Sequence, residues 1–196
     1  LDTDALAAFR ARALNPEHPR IRGTVQNGDV YFQAREASSR FYDALPDIVE
    51  KYMADIARIT GREYHLFDYC GAPDAEDIIV AMGSVSGVIR DTVDHLNAQG
   101  RKVGFIQVHL FRPFSCRHLL DAVPATVRRI AVLDRCREMG AAGEPLYQDV
   151  CTAFTHAERA PLAPLIIGGS YGLSSKDVDH AQIRDVFDEL RRPVPK

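Results

Sequence analysis

DIIVAMGSVSGVIRDTVDHLNAQGRKVGFIQVHL (77–110) decides the fold. It opens on a continuous apolar run, DIIVAMGS (77–84), of the kind that is buried on both faces of a parallel sheet. Val85, Val88, Ile89, Val93 and Leu96 then share one helical face, and Gly100 supplies the residue that ends a helix. VGFIQVHL (103–110) returns as a strand. Further along, Ser115 stands where it can cap a short helix carrying Leu119, Leu120 and Val123, and RRIAVLD (128–134) reads as another buried strand. Pro145 starts a helix with Leu146, Val150, Ala153 and Phe154, and PLIIGGSYG (164–172) reads as a strand. Asp179 and Gln182 form a capping-box pair before Ile183, Val186, Phe187 and Leu190, with Pro193 as a stop. Strands alternating with helices through short connections imply an α/β fold, three layers with a mainly parallel sheet. HLFDY (65–69) adds a strand ahead of this pattern.

Upstream the rhythm differs. Residues 1–36 read as a short helix and an extended arm with Pro16, Pro19, Arg20, Arg22 and Gly23, in which NGDVYFQAR (27–35) predicts a turn at Asn27-Gly28 and a β-prone run. From Ser38 to Thr60 the spacing of Ile48, Tyr52, Ile56 and Ile59 predicts a helix with Pro46 near its start and Gly61 after its end. The expected division is an arm and helix over 1–64, an α/β domain over 65–192 and a linker over 193–196.

Composition narrows the function. With 196 residues, 24 Lys+Arg against 27 Asp+Glu and a net charge of -3, the chain is an ordinary globular protein and not an overall basic nucleic-acid binder. No apolar run approaches the ~20 residues that span a bilayer, and no signal-peptide profile opens the chain, so the expectation is a cytoplasmic protein without membrane or nucleic-acid partners. A start at Leu1 instead of Met suggests a segment of something longer. Cys70, Cys116, Cys136 and Cys151 stand far apart, which suits reduced structural thiols and not an iron–sulfur cluster. The seven histidines form no HxxxH or HExxH, so no metal site is expected.

In a parallel sheet, ligands gather beyond the carboxyl ends of the strands. Gly83-Ser84-Val85-Ser86-Gly87 lies there, and its glycines and hydroxyls suit either a bound anion or a plain helix cap. Asp134 to Pro145 is the second such loop, with Gly140, Gly143 and Glu144. Its charges either contact a ligand or subunit or pair among themselves. Cys136 between Arg135 and Arg137 raises the expectation of a lowered thiol pKa. Residues 101–140 hold eight Lys/Arg against three acids, a basic segment suited to an acidic carrier or phosphorylated cofactor, and Arg112-Pro113-Phe114 is expected to aim Arg112 at the same crevice. No complete catalytic set emerges, and no thiamine-type GDG segment is present.

FDYCGAPDAEDIIVAMGSVSG (67–87), VHLFRPFS (108–115), IAVLDRCREMGAAGEPLYQDV (130–150) and GGSYGLSSKD (168–177) together resemble the pyruvate:ferredoxin (flavodoxin) oxidoreductases. NPEHPRIRGTVQNGDVYFQAREASSRFYDALPDIVEKYM (15–53) is similar to the segment leading out of that family's first, pyrimidine-binding domain. The chain departs from the family pattern at Ser86-Gly87, Cys136-Arg137 and Met139. The resemblance implies a transketolase C-terminal-like domain within a much longer, homodimeric enzyme. That enzyme would convert pyruvate and coenzyme A to acetyl-CoA and carbon dioxide and reduce ferredoxin or flavodoxin. It also implies thiamine diphosphate, magnesium and 4Fe-4S clusters held by other domains of the same polypeptide, none of them by this one. No catalytic residue carries over. Gly83, Ser84, Arg112, Asp134, Gly140, Gly143 and Glu144 are the loop candidates for a cofactor or for a neighbouring domain. Two alternatives stay open: a free-standing ligand-binding or regulatory α/β module, and an oxidoreductase for another 2-oxoacid.

Overall fold

The computed structural model describes residues 1–20, 23, 25–155 and 164–195. Arg22 of the arm and Lys196 of the linker lie outside the described residues. The chain divides into two compact units, Leu1–Arg40 and Phe41–Lys196. In the first, helix α1 (Thr3–Ala11) is capped by Asp2, whose Oδ1 accepts from the N–H of Asp4 at 3.1 Å and of Ala5 at 2.9 Å. Helix α2 (Gly28–Thr60) begins here and runs past the boundary.

The start of α2 corrects the sequence reading. NGDVYFQAR is helical, not a turn and strand, because Asn27 works as a helix cap: its Oδ1 accepts from Asp29 N–H at 3.2 Å, and its carbonyl accepts from Val30 and Tyr31. Pro46 therefore sits deep inside α2, not near its start, and leaves the Tyr42 carbonyl without its usual intrahelical donor.

In the second unit the sheet has, among the described residues, five strands: β1 (Phe67–Gly71), β2 (Asp77–Met82), β3 (Val103–Val108), β4 (Arg129–Asp134) and β5 (Leu165–Ser170). Their order is β1-β3-β2-β4-β5, parallel throughout except for β1, which runs antiparallel to β3. Residues 72–76 between β1 and β2 are too few for a crossover, so β1 joins as an antiparallel edge. At the other edge, β5 is half-exposed rather than buried on both faces.

The apolar runs of β2, β3 and β4 fill two layers because alternate side chains face opposite sides. Ile78, Val80, Ile106 and Val132 pack with α4 (Cys116–Ala122) and α5 (Pro145–Thr155) through Leu119, Leu146 and Val150. Ile79, Phe105, Ala131 and Leu133 pack with α3 (Ser86–Ala98) and α6 (His180–Leu190) through Ile89, Val93, Ile183 and Phe187. Val49 and Met53 of α2 join the first layer. The capping box of α6 is present in both directions, with Asp179 Oδ1 accepting from Gln182 N–H at 2.9 Å and Gln182 Oε1 from Asp179 N–H at 3.0 Å. Ser115 stands at the N-cap of α4, yet its hydroxyl bonds His118 Nδ1 at 2.7 Å instead of a backbone N–H. No described helix is long and apolar enough to cross a membrane.

From β2 the chain goes through α3 to β3 on one side, and from β3 it passes through α4 to β4 on the other side of β2. The connections diverge beyond the carboxyl ends of β2 and β4, which opens a crevice there.

Candidate functional site: the crevice beyond β2 and β4

Two adjoining cavities make up the crevice. One, of about 320 Å³, is lined by Met82, Phe111, Pro145 and Tyr171 with Asp134 and Cys136; the other, of about 190 Å³, by Gly172, Ser175, Lys176 and Asp177 with Val85. Ser84, Arg135 and Tyr171 line both. The Tyr171 hydroxyl donates to the Met82 carbonyl at 3.0 Å, which ties the end of β5 to the end of β2, and burial pushes its pKa up. Arg135 Nε donates to the Gly172 carbonyl at 3.2 Å and its Nη1 to Ser84 Oγ at 3.5 Å.

The Gly83 loop enters as a 3-10 turn, Gly83–Val85, with Gly83 at φ 81°. No serine caps α3: Ser86 donates its hydroxyl back to the Gly83 carbonyl at 2.7 Å. Ser84 is left facing the crevice.

In the second loop the acids hold the loop itself. Buried Asp134 accepts from the N–H groups of Leu146 at 3.0 Å and Tyr147 at 3.1 Å, so the last residue of β4 caps α5. Glu144, also buried, accepts from Glu138 N–H at 2.7 Å and from Arg137 Nη1 at 3.1 Å, with Ser170 Oγ at 3.5 Å. Gly143 and Gly168 flank the Tyr147 ring so closely that a Cβ on Gly143 would stand 2.3 Å from it. Gly140, at φ 82°, has open space around it. Cys136 reverses the expectation of an activated thiol. Burial raises its pKa, and Asp134, Glu144 and Glu138 add to the rise, since the loop turns carboxylates and not guanidinium groups toward the sulfur.

Arg112 is likewise corrected. It leaves the crevice to Phe111 and bonds Asp149 of α5 at 2.5 Å while stacking 3.8 Å over the Phe111 ring. The basic segment is largely neutralised by pairing: Arg101, Lys102, Arg117, Arg129 and Arg137 each meet a carboxylate at 2.5–3.1 Å. A further cavity of about 540 Å³ borders Glu50, His65 and His118. His118 Nε2 is 3.9 Å from Asp47, an exposed carboxylate that also bonds Arg117 at 2.6 Å, so among the described residues the Ser115–His118 pair lacks the buried orienting acid of a catalytic triad.

Sequence reasoning did not single out Arg135, Tyr171, Ser175 or Lys176 as a group. Their signal was positional: Arg135 follows β4 and Tyr171 follows β5, both at carboxyl ends.

The sequence model of the family described as "Pyruvate:ferredoxin oxidoreductase core domain II" matches residues 75–179. That range contains β2 to β5 and the residues of the crevice from Met82 to Val178. The chain belongs to this family. It is 58% identical over 195 residues to the pyruvate-flavodoxin oxidoreductase of Klebsiella pneumoniae, and 54% identical over 197 residues to the pyruvate:ferredoxin oxidoreductase of Moorella thermoacetica. Each alignment takes in 100% of this chain and 16% of the relative, so the chain spans about one sixth of the length of these curated relatives. Among solved structures, a 2-oxoglutarate:ferredoxin oxidoreductase from Magnetococcus marinus is similar, with a TM-score of 0.44 and 21% identity over 65% of this chain and 20% of that one.

The donor set here does not fit the iron–sulfur clusters that the resemblance implies for the family. Cys70, Cys116, Cys136 and Cys151 lie on or beside different elements, and no group of three or more His, Cys, Asp or Glu among the described residues is placed to hold a metal ion. A 4Fe-4S cluster, which needs several thiolates close together, therefore has no such ligand set among them.

Proposed function

We propose that this chain is a non-catalytic assembly domain of an oxidoreductase that decarboxylates pyruvate with coenzyme A. The products are acetyl-CoA and carbon dioxide, and the electrons pass to ferredoxin or flavodoxin. The observation that carries the reading is the similarity of the whole chain to about one sixth of such enzymes. The site chemistry supports it: Asp134, Glu144 and Arg137 serve the loop they belong to, which is the behaviour of a scaffold. Residues 1–64 then lead out of a preceding pyrimidine-binding domain, 65–192 form a transketolase C-terminal-like domain, and 193–196 link onward. Thiamine diphosphate, magnesium and the 4Fe-4S clusters belong to other domains of the same cytoplasmic, homodimeric polypeptide.

Helix α2 adds a physical reason for such neighbours. Its buried side is used by Pro46, Val49 and Met53, while Tyr42, Ile48, Tyr52, Ile56 and Ile59 stand exposed. The last four recur at helical spacing over three turns and form an apolar stripe of the kind that marks an interaction surface. An immunoblot of source cells with an antibody against this chain tests the reading. A band far above 21.8 kDa is expected. A band near that mass would make the chain free-standing and overturn it.

A further inference from the structure

We propose that the crevice beyond β2 and β4 is a binding site for a small organic phosphate, its phosphoryl group on Arg135 and Lys176 and its apolar body along Met82, Phe111 and Pro145. This goes beyond the assembly role and does not depend on it.

Charge is the first ground. Six other cations of the 101–140 segment are paired with carboxylates, whereas Arg135 bonds only a carbonyl and a hydroxyl and has no carboxylate within ion-pair distance among the described residues. Lys176, across the same cavity, has none either. Asp134, beside Arg135 in sequence, is committed to the N–H groups of α5. Two cations against the single acid Asp177 leave this cavity net positive. Arg135 is anchored at Nε by the Gly172 carbonyl, with Ser84 Oγ 3.5 Å from Nη1, so its guanidinium lies along the wall of this cavity.

Shape is the second ground. Ser84 and Ser175 bring hydroxyls to the cationic cavity, and the wall that carries Ser175 and Lys176 is bent by left-handed backbone at Gly172, Ser174 and Ser175 (φ 59°, 52° and 62°). Non-glycine residues persist there only when the surroundings hold them. The adjoining cavity is the apolar one, and Arg135, Ser84 and Tyr171 border both. A ligand with a charged head and an apolar body matches the pair, as a free carboxylate side chain from a neighbouring domain does not. The cavities of about 190 and 320 Å³ together fall in the size range of small-molecule sites.

Titration of the 196-residue chain with phenyl phosphate, inorganic phosphate, acetate and benzyl alcohol, followed by calorimetry and amide shifts, tests this. Phenyl phosphate should saturate and bind about tenfold more tightly than inorganic phosphate, with shifts centred on Ser84, Tyr171 and Gly172. Arg135→Gln should weaken it about tenfold and Arg135→Lys less, whereas Arg117→Gln, on α4, should leave it unchanged. If Arg135→Gln does not fold, the shift pattern of the unaltered chain decides the matter. Absence of saturation, shifts elsewhere, indifference to Arg135→Gln in a folded variant, or acetate binding as tightly as phenyl phosphate would each overturn the proposal. The last result would mark a receptor for a carboxylate of a neighbouring domain.

Discussion

Asp134 closes β4 and caps α5 with one carboxylate, and its environment sets a pH signature. Burial raises its pKa from 3.8, against the pull of the two N–H donors and with help from Glu144 and Asp149. A carboxyl raised in the folded state favours folding while protonated; that contribution is complete below 3.8 and is lost as pH rises through the raised value. Thermal melts of the chain and of Asp134→Asn should therefore show the advantage of Asp134 shrinking from acid to neutral pH, and a constant or growing gap would contradict the assignment. Cys136 follows the same logic. Because burial, with the nearby carboxylates, holds its thiol protonated, alkylation by iodoacetamide near neutral pH should be slower than for an ordinary thiol. Glu138→Gln should speed it by about twofold, the scale of an exposed Coulomb interaction of a few tenths of a kcal/mol. Asp134 and Glu144 were legible as special from their crowding with other charges between a strand and a helix. Pairing within the loop was one of the two readings of that crowding, and Arg137 on Glu144 bears it out; the remaining partners were not legible, because they are backbone N–H groups and a Ser170 hydroxyl that only the fold brings within reach.

At the level of elements, the segments with a strong local signal came through. The apolar runs of β2, β3 and β4 and the Asp179–Gln182 box of α6 each carry their own determinants within a few residues. Where two local signals competed, the weaker-looking one prevailed. Asn-Gly at 27–28 favours a hairpin turn by itself, yet Asn27 caps α2 because the 32 residues after Gly28 continue as a helix. Asn27→Ala should fray that first turn at a local cost of about 1 kcal/mol, read as faster amide exchange at Asp29 to Phe32. Unchanged exchange would remove Asn27 from its capping role. The antiparallel course of β1 was readable only from the shortness of the connection to β2, since side-chain pattern does not give strand direction. Crevice membership was the least legible feature: Arg135 and Lys176 are 41 positions apart and meet only because β4 and β5 end side by side.

For the whole molecule, the second unit has a complete two-layered core and still leaves Ile48, Tyr52, Ile56 and Ile59 of α2 in water. At high concentration the separate chain should self-associate through this helix, visible as a rising sedimentation coefficient, and strict monomers across the series would count against an unsatisfied interface. We propose that this face is covered inside a larger oxidoreductase. The most direct test is pyruvate-dependent flavodoxin reduction by the complete enzyme carrying Ile48→Asp, Tyr52→Asp and Ile56→Asp, with circular dichroism of the separate chain confirming that the triple variant folds. A folded domain with lost enzyme turnover is the predicted result; turnover equal to the unaltered enzyme would contradict the account.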